Sequence, residues 1–593
     1  MSAHEQRMPA RAADDLLRRP QADVLIIGGG INGIATFRDL ALQGVDVALV
    51  ERVDFCSGAS AASSHMVHGG IRYLENGEFR LVHEAVTERN ALLRDAPHYV
   101  RPLRTTIPIF SAFGGVLSAP LRFLRHGDGA TRERGAALIK IGLVIYDSFS
   151  RGGGRVPRHT FRGRRRSLRD LPDLNPAVKY TASYWDASLR DPERLALDVL
   201  ADGIAAGEGR ARAANYVEAI GAQGGGVVLR DARTGATTTF TASVVVNATG
   251  PWTDLTNAAL GSPTRYMGGT KGSHIVLDHP ELLAATRGRE LFFEHSDGRI
   301  VLIYPLRRRV LVGTTDLEHD MADPIVCTEA EVDYFFELVR HVFPRITVSR
   351  EQIVHRFAGV RPLPGHGDLA PGFVSRDYRI ESAPLRDSGA AAVPVLSLVG
   401  GKWTTFRALG AHLADRALGA LGRARRFGTK GLAIGGGHGF PVTTAARSRW
   451  LDEHAGALGR ERMELLLDRY GTLAVQVRDA IAADSDDRAL AAAPHYSTAE
   501  IRHLARTESV HHLDDILLRR TNLAFTGRAT SACAEEVAGA VADVLGWDDS
   551  RCAEEVERAL AAVRAAEPRE PADGVHDAPV SGARVPDTAD PLA

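Results

Sequence analysis

The feature that most constrains this 593-residue chain is a strand, a glycine loop and a helix placed in immediate succession near its start. Asp23-Val-Leu-Ile-Ile27 is apolar after its first residue, as a strand buried on both faces must be. It runs into Gly28-Gly-Gly-Ile-Asn-Gly33, then into a helical stretch stopped at Gly44, then into a second strand, Val47-Ala-Leu-Val50, closed by Glu51. Gly28 permits the tight turn, Gly30 lets the backbone approach a pyrophosphate seated on the helix N-terminus, and Gly33 lets helix and strand pack closely. Glu51 comes 23 positions after Gly28, where a carboxylate can accept bonds from an adenosine ribose. An ordinary strand-to-helix turn would not require the acid. The opening βαβ unit therefore predicts a Rossmann-like dinucleotide-binding domain, with Asn32 inside its loop.

Two arguments select the dinucleotide. No second comparable glycine loop is present for a nicotinamide cofactor, and a run of small polar residues follows Glu51, from Ser57 to Ser64 and on through His65-Met-Val-His-Gly-Gly70. The hydroxyls of Ser57, Ser63 and Ser64 and the amides around His68 and Gly69 can wrap the pyrophosphate and ring of a flavin. Val244-Val-Val-Asn-Ala-Thr-Gly250 ends a strand in a small-residue turn holding Ala248 and Gly250. Val399-Gly-Gly-Lys-Trp-Thr-Thr405 sets Gly400, Gly401, Lys402 and Thr404 at the end of another. Each alone reads equally well as a glycine turn; with the first loop they favour FAD over NAD.

A second group of segments carries cations: Arg72-Tyr73, Lys271-Gly-Ser-His274, Arg361-Pro362, Arg376-Asp377 and Lys402. An anionic substrate head needs arginine forks and a lysine point charge. Only five lysines occur, at 140, 179, 271, 402 and 430, so basicity is carried by arginine. Any single arginine in such a chain is by default a surface residue, and the sequence alone does not show that these segments converge.

Composition excludes several classes. Lys+Arg 72 against Asp+Glu 73 leaves a formal charge of −1, which gives no reason to expect nucleic acid as a partner. An apolar share of 44% and a charged share of 24% exclude a mostly disordered chain. Cys56, Cys327, Cys533 and Cys552 form no CxxC pair and no HExxH occurs, so neither a disulfide framework nor a metal site is expected. No uninterrupted apolar stretch of about 18 residues exists, so no transmembrane helix is expected. The organisation read from these patterns is a mobile extension over 1–20, an FAD-binding domain from 21–110, 190–255 and 393–425, and a substrate domain with a largely antiparallel sheet from 111–189 and 256–392. A helical domain over 440–565 and a disordered tail over 566–593 complete it. The Gly- and Arg-rich stretch 113–165 reads as a solvated loop, with contact to an anionic membrane surface as the alternative.

Several of these segments, in this order, resemble FAD-dependent glycerol-3-phosphate dehydrogenases. They are Ile27-Gly-Gly-Gly-Ile-Asn-Gly33, Ser63-Ser64 with His68-Gly-Gly-Ile-Arg-Tyr-Leu74, Ala248-Thr-Gly-Pro-Trp252, Lys271-Gly-Ser-His274, Val312-Gly-Thr-Thr-Asp316, Gly359-Val-Arg-Pro-Leu363, Ser375-Arg-Asp-Tyr378 and Gly400-Gly-Lys-Trp-Thr-Thr405. Leu513-Asp-Asp-Ile-Leu-Leu-Arg-Arg-Thr521 resembles that family's C-terminal domain. The resemblance implies a glycine-oxidase-like flavoprotein core and oxidation of sn-glycerol 3-phosphate to dihydroxyacetone phosphate. It also implies electron transfer to a membrane quinone from a cytoplasmic protein attached to the inner face of the membrane without spanning it. A homodimer is compatible with it. Carried over position by position, Arg72, Tyr73, His274, Arg361, Arg376 and Lys402 line the substrate pocket, with Thr315 nearby. A neutral imidazole titrates near working pH, which makes His274 the preferred base, a structural histidine being the competing reading. Arg361 and Arg376 would fork the phosphate, and Lys402 and Arg72 would stabilise developing negative charge. The rivals are an oxidase of the same substrate using O2, a related amine or amino-acid oxidase, and a flavin-containing binding subunit without turnover.

Overall fold

The computed structural model describes residues 12–70, 78–110, 139–140, 143–144, 146–147, 157–294, 299–365, 377–386 and 392–565. The expected disordered tail over 566–593, Arg72, Tyr73, Arg376 and most of 113–156 lie outside the described residues.

The opening pattern forms the strand Gln21–Ile27, the helix Ile31–Leu42 and the strand Val47–Val50. They sit in an eight-stranded sheet with Arg379–Pro384 at one edge, followed by Pro394–Val399, Thr237–Asn247, Gln21–Ile27, Val47–Val50 and Ala211–Ala214. The five strands from Pro394–Val399 onward are mutually parallel, and the edge strand Arg379–Pro384 is antiparallel. The register sets Ile27 beside Val50 and Asn247, and Asn247 beside Ser397. Gly28, Glu51, Ala248 and Gly400 therefore leave the sheet on one edge, the carboxyl edge where ligands of such sheets bind. The helix Ile31–Leu42 packs against Pro192–Ala206 and Phe406–Ala420. Close approach requires glycine there: a Cβ on Gly410 would lie 2.8 Å from the Ala35 Cβ, and one on Gly203 2.9 Å from the Phe37 ring.

The second sheet has ten strands and is largely antiparallel. Next to its edge strand Ile353–Arg361, the strand Thr270–Leu277 pairs with that strand on one side and with Arg309–Gly313 on the other. Beyond residue 440, the helices Arg460–Tyr470, Thr498–Thr507 and Ser531–Leu545 close a separate apolar core around Leu466, Ile501, Leu504, Val537 and Val541.

The expected organisation differs from the structure in several places. Met66–Val67, expected with the cofactor domain, and Thr160–Gly163, expected in a solvated loop, both pair with Tyr180–Leu189 of the second sheet. Residues 12–18 are not part of a mobile extension: they form a helix that buries Ala13 and Leu16 beside Leu25 and Phe240, and Arg19 pairs with Asp46 at 3.0 Å. Val100–Ile109, expected with the cofactor domain, pairs along its whole length with Tyr180–Leu189 of the second sheet. Arg379–Pro384, expected with the substrate domain, pairs with Pro394–Val399 of the first. Local periodicity encodes none of these pairings.

Glu290, fully buried in the second sheet, accepts a hydrogen bond from Thr105 Oγ1 at 2.7 Å while its Oε1 has no hydrogen-bond partner. Burial, aided by nearby Asp186, pushes its carboxyl up to about 8. The folded state therefore holds a proton that the unfolded chain releases between pH 4.5 and 8, and stability attributable to this group falls as pH rises through that window. Glu290→Gln is expected to match wild type near pH 4.5 and to be more stable by on the order of 4 kcal/mol at pH 8.5. Urea unfolding at the two pH values measures it, and equal shifts at both would refute it.

Candidate active site

The glycine loop is built as its sequence requires. Gly28 has φ +112°, and a Cβ there would meet the Ala248 carbonyl oxygen at 2.7 Å; a Cβ on Gly33 would lie 2.0 Å from the Gly28 oxygen. A cavity of about 580 Å³ opens at this edge, with Gly28, Gly30, Asn32, Glu51, Ser57, Ala248 and Gly250 along it and Phe357 and Pro362 of the second sheet on its far side. Glu51 Oε2 accepts from the Gly29 amide at 2.8 Å and Oε1 from Val53 at 3.1 Å, while burial raises its pKa. Asn32 Oδ1 is buried without a partner, and its Nδ2 stands where a Cβ on Gly401, at φ +115°, would come within 2.7 Å. An orphaned polar atom beside backbone left bare by glycine suits a bound dinucleotide, so these residues fit FAD.

The polar run after Glu51 is clamped between the two sheets. Ser60 Oγ accepts from the Ile31 amide at 3.0 Å, the Trp403 indole donates to the Ser60 carbonyl at 2.9 Å, and Ala62 packs where a Cβ on Gly359 would be 2.4 Å away. Ser60 is a contact that sequence reasoning did not single out: within a run of serines, nothing local says which one meets the helix. Ser63 Oγ accepts from the His65 amide at 3.3 Å. Ser63, Ser64, His68, Gly69, Gly400, Gly401, Lys402 and Thr404 flank the cavity rather than line it. Thr404 Oγ1 donates to the His68 carbonyl at 3.4 Å, and Lys402 lies close enough to Glu84 to oppose the burial that raises that carboxyl's pKa. The Gly69 amide donates to Asp186 at 2.9 Å, and Asp186 in turn is bound by Tyr146 at 2.5 Å and Arg89 at 3.0 Å.

On the second sheet, His274 and Phe357 are cross-strand partners whose rings stack at 4.8 Å and 14°. Gly313 makes room for the imidazole, since a Cβ there would lie 2.2 Å from Cδ2. His274 is 2% exposed, and its Nε2 meets Ser64 Oγ at 2.9 Å. Burial first, then the charges of Arg361 and His65, hold its pKa well below the usual histidine range, so the ring is neutral at working pH. Two residues beyond Gly359 on the neighbouring strand, Arg361 donates to Asp316 Oδ1 at 2.8 Å, Thr314 Oγ1 at 2.9 Å and the Thr315 carbonyl at 3.1 Å. A Cβ on Gly272 would lie 2.4 Å from that guanidinium, so the glycine of Lys271-Gly-Ser-His274 clears its place.

Two residues expected near an anion point elsewhere. Lys271 donates to Glu331 at 2.9 Å and to the Val326 carbonyl at 2.7 Å. Thr315 is 1% exposed; its hydroxyl accepts from the Ser273 amide at 2.9 Å and donates to Glu331 at 2.7 Å. Strand alternation explains Lys271: residues 271 and 273 face one side of the sheet, and 272 and 274 the other. His274 and Arg361 do not themselves line the cleft; they share a sheet face with Phe357 and Gly359, which do. Among the described residues there is no cluster able to hold a metal ion, and no helix is long and apolar enough to cross a membrane.

Residues 23–416 match the family model of FAD dependent oxidoreductases, and 427–552 that of the C-terminal domain of alpha-glycerophosphate oxidase. A glycerol-3-phosphate dehydrogenase of Synechocystis sp. is 31% identical over 555 residues, covering 88% of this chain and 93% of that protein. The D-erythritol 1-phosphate dehydrogenase of Brucella abortus is 32% identical over 510 residues, covering 84% and 94%. The solved structure of glycerol-3-phosphate dehydrogenase from Bacillus halodurans complexed with FAD superposes with TM-score 0.71 at 23% identity, covering 94% of this chain and 98% of that one, which shows a shared fold. FAD is the cofactor that the cleft and the family model agree on. Similarity that spans both the flavin core and the helical domain places the chain in the FAD-dependent glycerol-3-phosphate dehydrogenase family.

Proposed function

We propose that the protein oxidises sn-glycerol 3-phosphate to dihydroxyacetone phosphate. The observation that carries this reading is that His274 and Arg361 share one face of paired strands, beside the loop that closes the FAD cleft. Bound FAD supplies a two-electron acceptor for the hydride leaving C2. His274, neutral because it is buried near a guanidinium, accepts the C2 hydroxyl proton at Nε2, where the substrate hydroxyl would take the place that Ser64 Oγ holds in the structure. Arg361 takes the phosphate; Asp316 and Thr314 fix the plane of its guanidinium before substrate arrives, so less ordering is left for the binding step. Arg72, Tyr73, Arg376 and Lys402 complete the anion set in this reading, as the family motifs they belong to suggest, and the flanking glycines, serines and His68 hold the flavin. Electrons leave to a quinone, from a protein lying peripherally on the inner face of the membrane.

Anaerobic mixing with glycerol 3-phosphate while following flavin absorbance tests the proposal; rapid bleaching is the expected result. D-erythritol 1-phosphate is the comparator, since a relative named for it is 32% identical. Faster bleaching by the longer polyol would reassign the substrate. Peroxide yield against quinone reduction then separates oxidase from dehydrogenase. Arg361→Ala is expected to raise KM about 10- to 150-fold, the loss of a hydrogen bond to a charged group, with FAD still bound. Steady-state kinetics at saturating acceptor measure it, and an unchanged KM removes Arg361 from the site.

A further inference from the structure

We infer that Glu331 is a positioning residue for this site, a single carboxylate that holds both the base-bearing strand and the arginine-fixing loop from behind. The inference rests on the function proposed above. Glu331 is the third residue of the helix Glu329–Val342, where a capping-box acid returns a bond to the cap residue; its Oε2 accepts from the Thr328 amide at 2.9 Å. That role explains one of its bonds. The carboxylate is 3% exposed and accepts four more: from Lys271 Nζ at 2.9 Å, Ser273 Oγ at 2.8 Å, Thr315 Oγ1 at 2.7 Å and Thr328 Oγ1 at 3.0 Å. The bonds from Lys271, Thr315, Thr328 and Ser273 outweigh its burial and keep it ionised.

The far ends of these bonds lead to the two reactive elements. Ser273 precedes His274 on the strand Thr270–Leu277, and alternation sends the Ser273 side chain to Glu331 and the imidazole to the opposite face. Thr315 is the middle of the tripeptide Thr314–Asp316, which supplies all three acceptors named for Arg361. Thr315 also accepts from the Ser273 amide, which ties strand to loop. Among the described residues, the bonds of Glu331 run to Lys271, Ser273, Thr315 and Thr328, so its effect on His274 and Arg361 is transmitted through Ser273 and Thr315. Lys271 and the Thr328 amide can only donate, so in Glu331→Gln the amide oxygen must stay on their side and the N–H2 must face the Ser273 and Thr315 hydroxyls, which reverses the two bonds that hold strand and loop and leaves Lys271 without its counter-charge.

The test uses the FAD-loaded full chain with Glu331→Gln. Inorganic phosphate, titrated through the perturbation it causes in the flavin spectrum, is expected to bind at least about tenfold more weakly, and kcat/KM for glycerol 3-phosphate to fall about 10²-fold, as a misplacement of about 1 Å would cause. Val332→Ala is the control: Val332 is buried in the same helix and outside the network, so the variant lowers Tm without moving phosphate affinity or kcat/KM. Glu331→Gln behaving like Val332→Ala overturns the inference, as does a wild-type protein whose spectrum ignores phosphate. If Glu331→Gln does not fold, Thr315→Val removes the loop half of the clamp and is held to the same phosphate criterion. If glycerol 3-phosphate leaves the wild-type flavin oxidised, the proposed function fails while the phosphate titration still decides Glu331.

Discussion

Replacing His274 by Gln is expected to lower kcat about 10²- to 10⁴-fold, the usual range for removing a positioned general base, while FAD content and KM change little. The geometry makes the expectation specific. The ring is held by stacking on Phe357, by the gap over Gly313 and by Ser64, so its orientation does not depend on substrate. Burial and the charges of Arg361 and His65 hold it neutral, so the acid limb of the wild-type kcat/KM profile should lie well below pH 6.5. A profile in which activity is lost through protonation at 6.5 or above, or a near-normal kcat in His274→Gln at saturation, would move the base elsewhere.

Asp54→Ala is expected to destabilise the protein by about 3–5 kcal/mol and to reduce FAD retention, because it leaves buried Arg520 without its carboxylate and removes one of the three that Arg519 binds. Asp54 is fully buried three residues after Glu51. Arg519 and Arg520 of the helical domain both bind its Oδ2; Arg520 adds a bond to Oδ1 at 2.9 Å and Asn215 another at 2.8 Å. The two arginines, charge-paired and hydrogen-bonded to it, hold the Asp54 carboxyl far below the usual range despite its burial. They are adjacent residues of the π-helical turn Ile516–Arg520, and Arg519 also binds Asp514 at 3.1 Å and Asp515 at 2.8 Å. The helical domain is thus locked onto the segment that carries Glu51 and begins the polar run. Thermal melting with bound-flavin quantitation checks this; an unchanged Tm would mean that the arginines find other partners at no cost.

The two kinds of site residue were not equally legible. The glycine loop and Glu51 could be read locally, because a tight turn, a close helix–strand approach and an acid after the second strand are properties of neighbouring residues, and the register then brings Gly28, Glu51, Ala248 and Gly400 to one edge. The cation set was partly misread. Lys271 and Arg361 look alike as members of basic motifs, yet one faces Glu331 and the other Asp316. Alternation along Lys271-Gly-Ser-His274 could have separated Lys271 from His274 before any coordinates. Nothing in the sequence announced Glu331, whose local pattern is an ordinary capping box, or Asp54, whose partners are 465 and 466 residues away.

The amino-acid order by itself determined the βαβ opening, the demand for glycine at positions 28 and 33, and the alternating faces along Lys271-Gly-Ser-His274, because these depend on steric limits and side-chain period within a few residues. Only the tertiary structure decided that helix 12–18 docks, that Val100–Ile109 joins the second sheet, and which carboxylate each buried arginine and lysine meets. Those outcomes are pairings between distant segments, fixed by the burial and charge balance of the whole molecule rather than by the preferences of either partner.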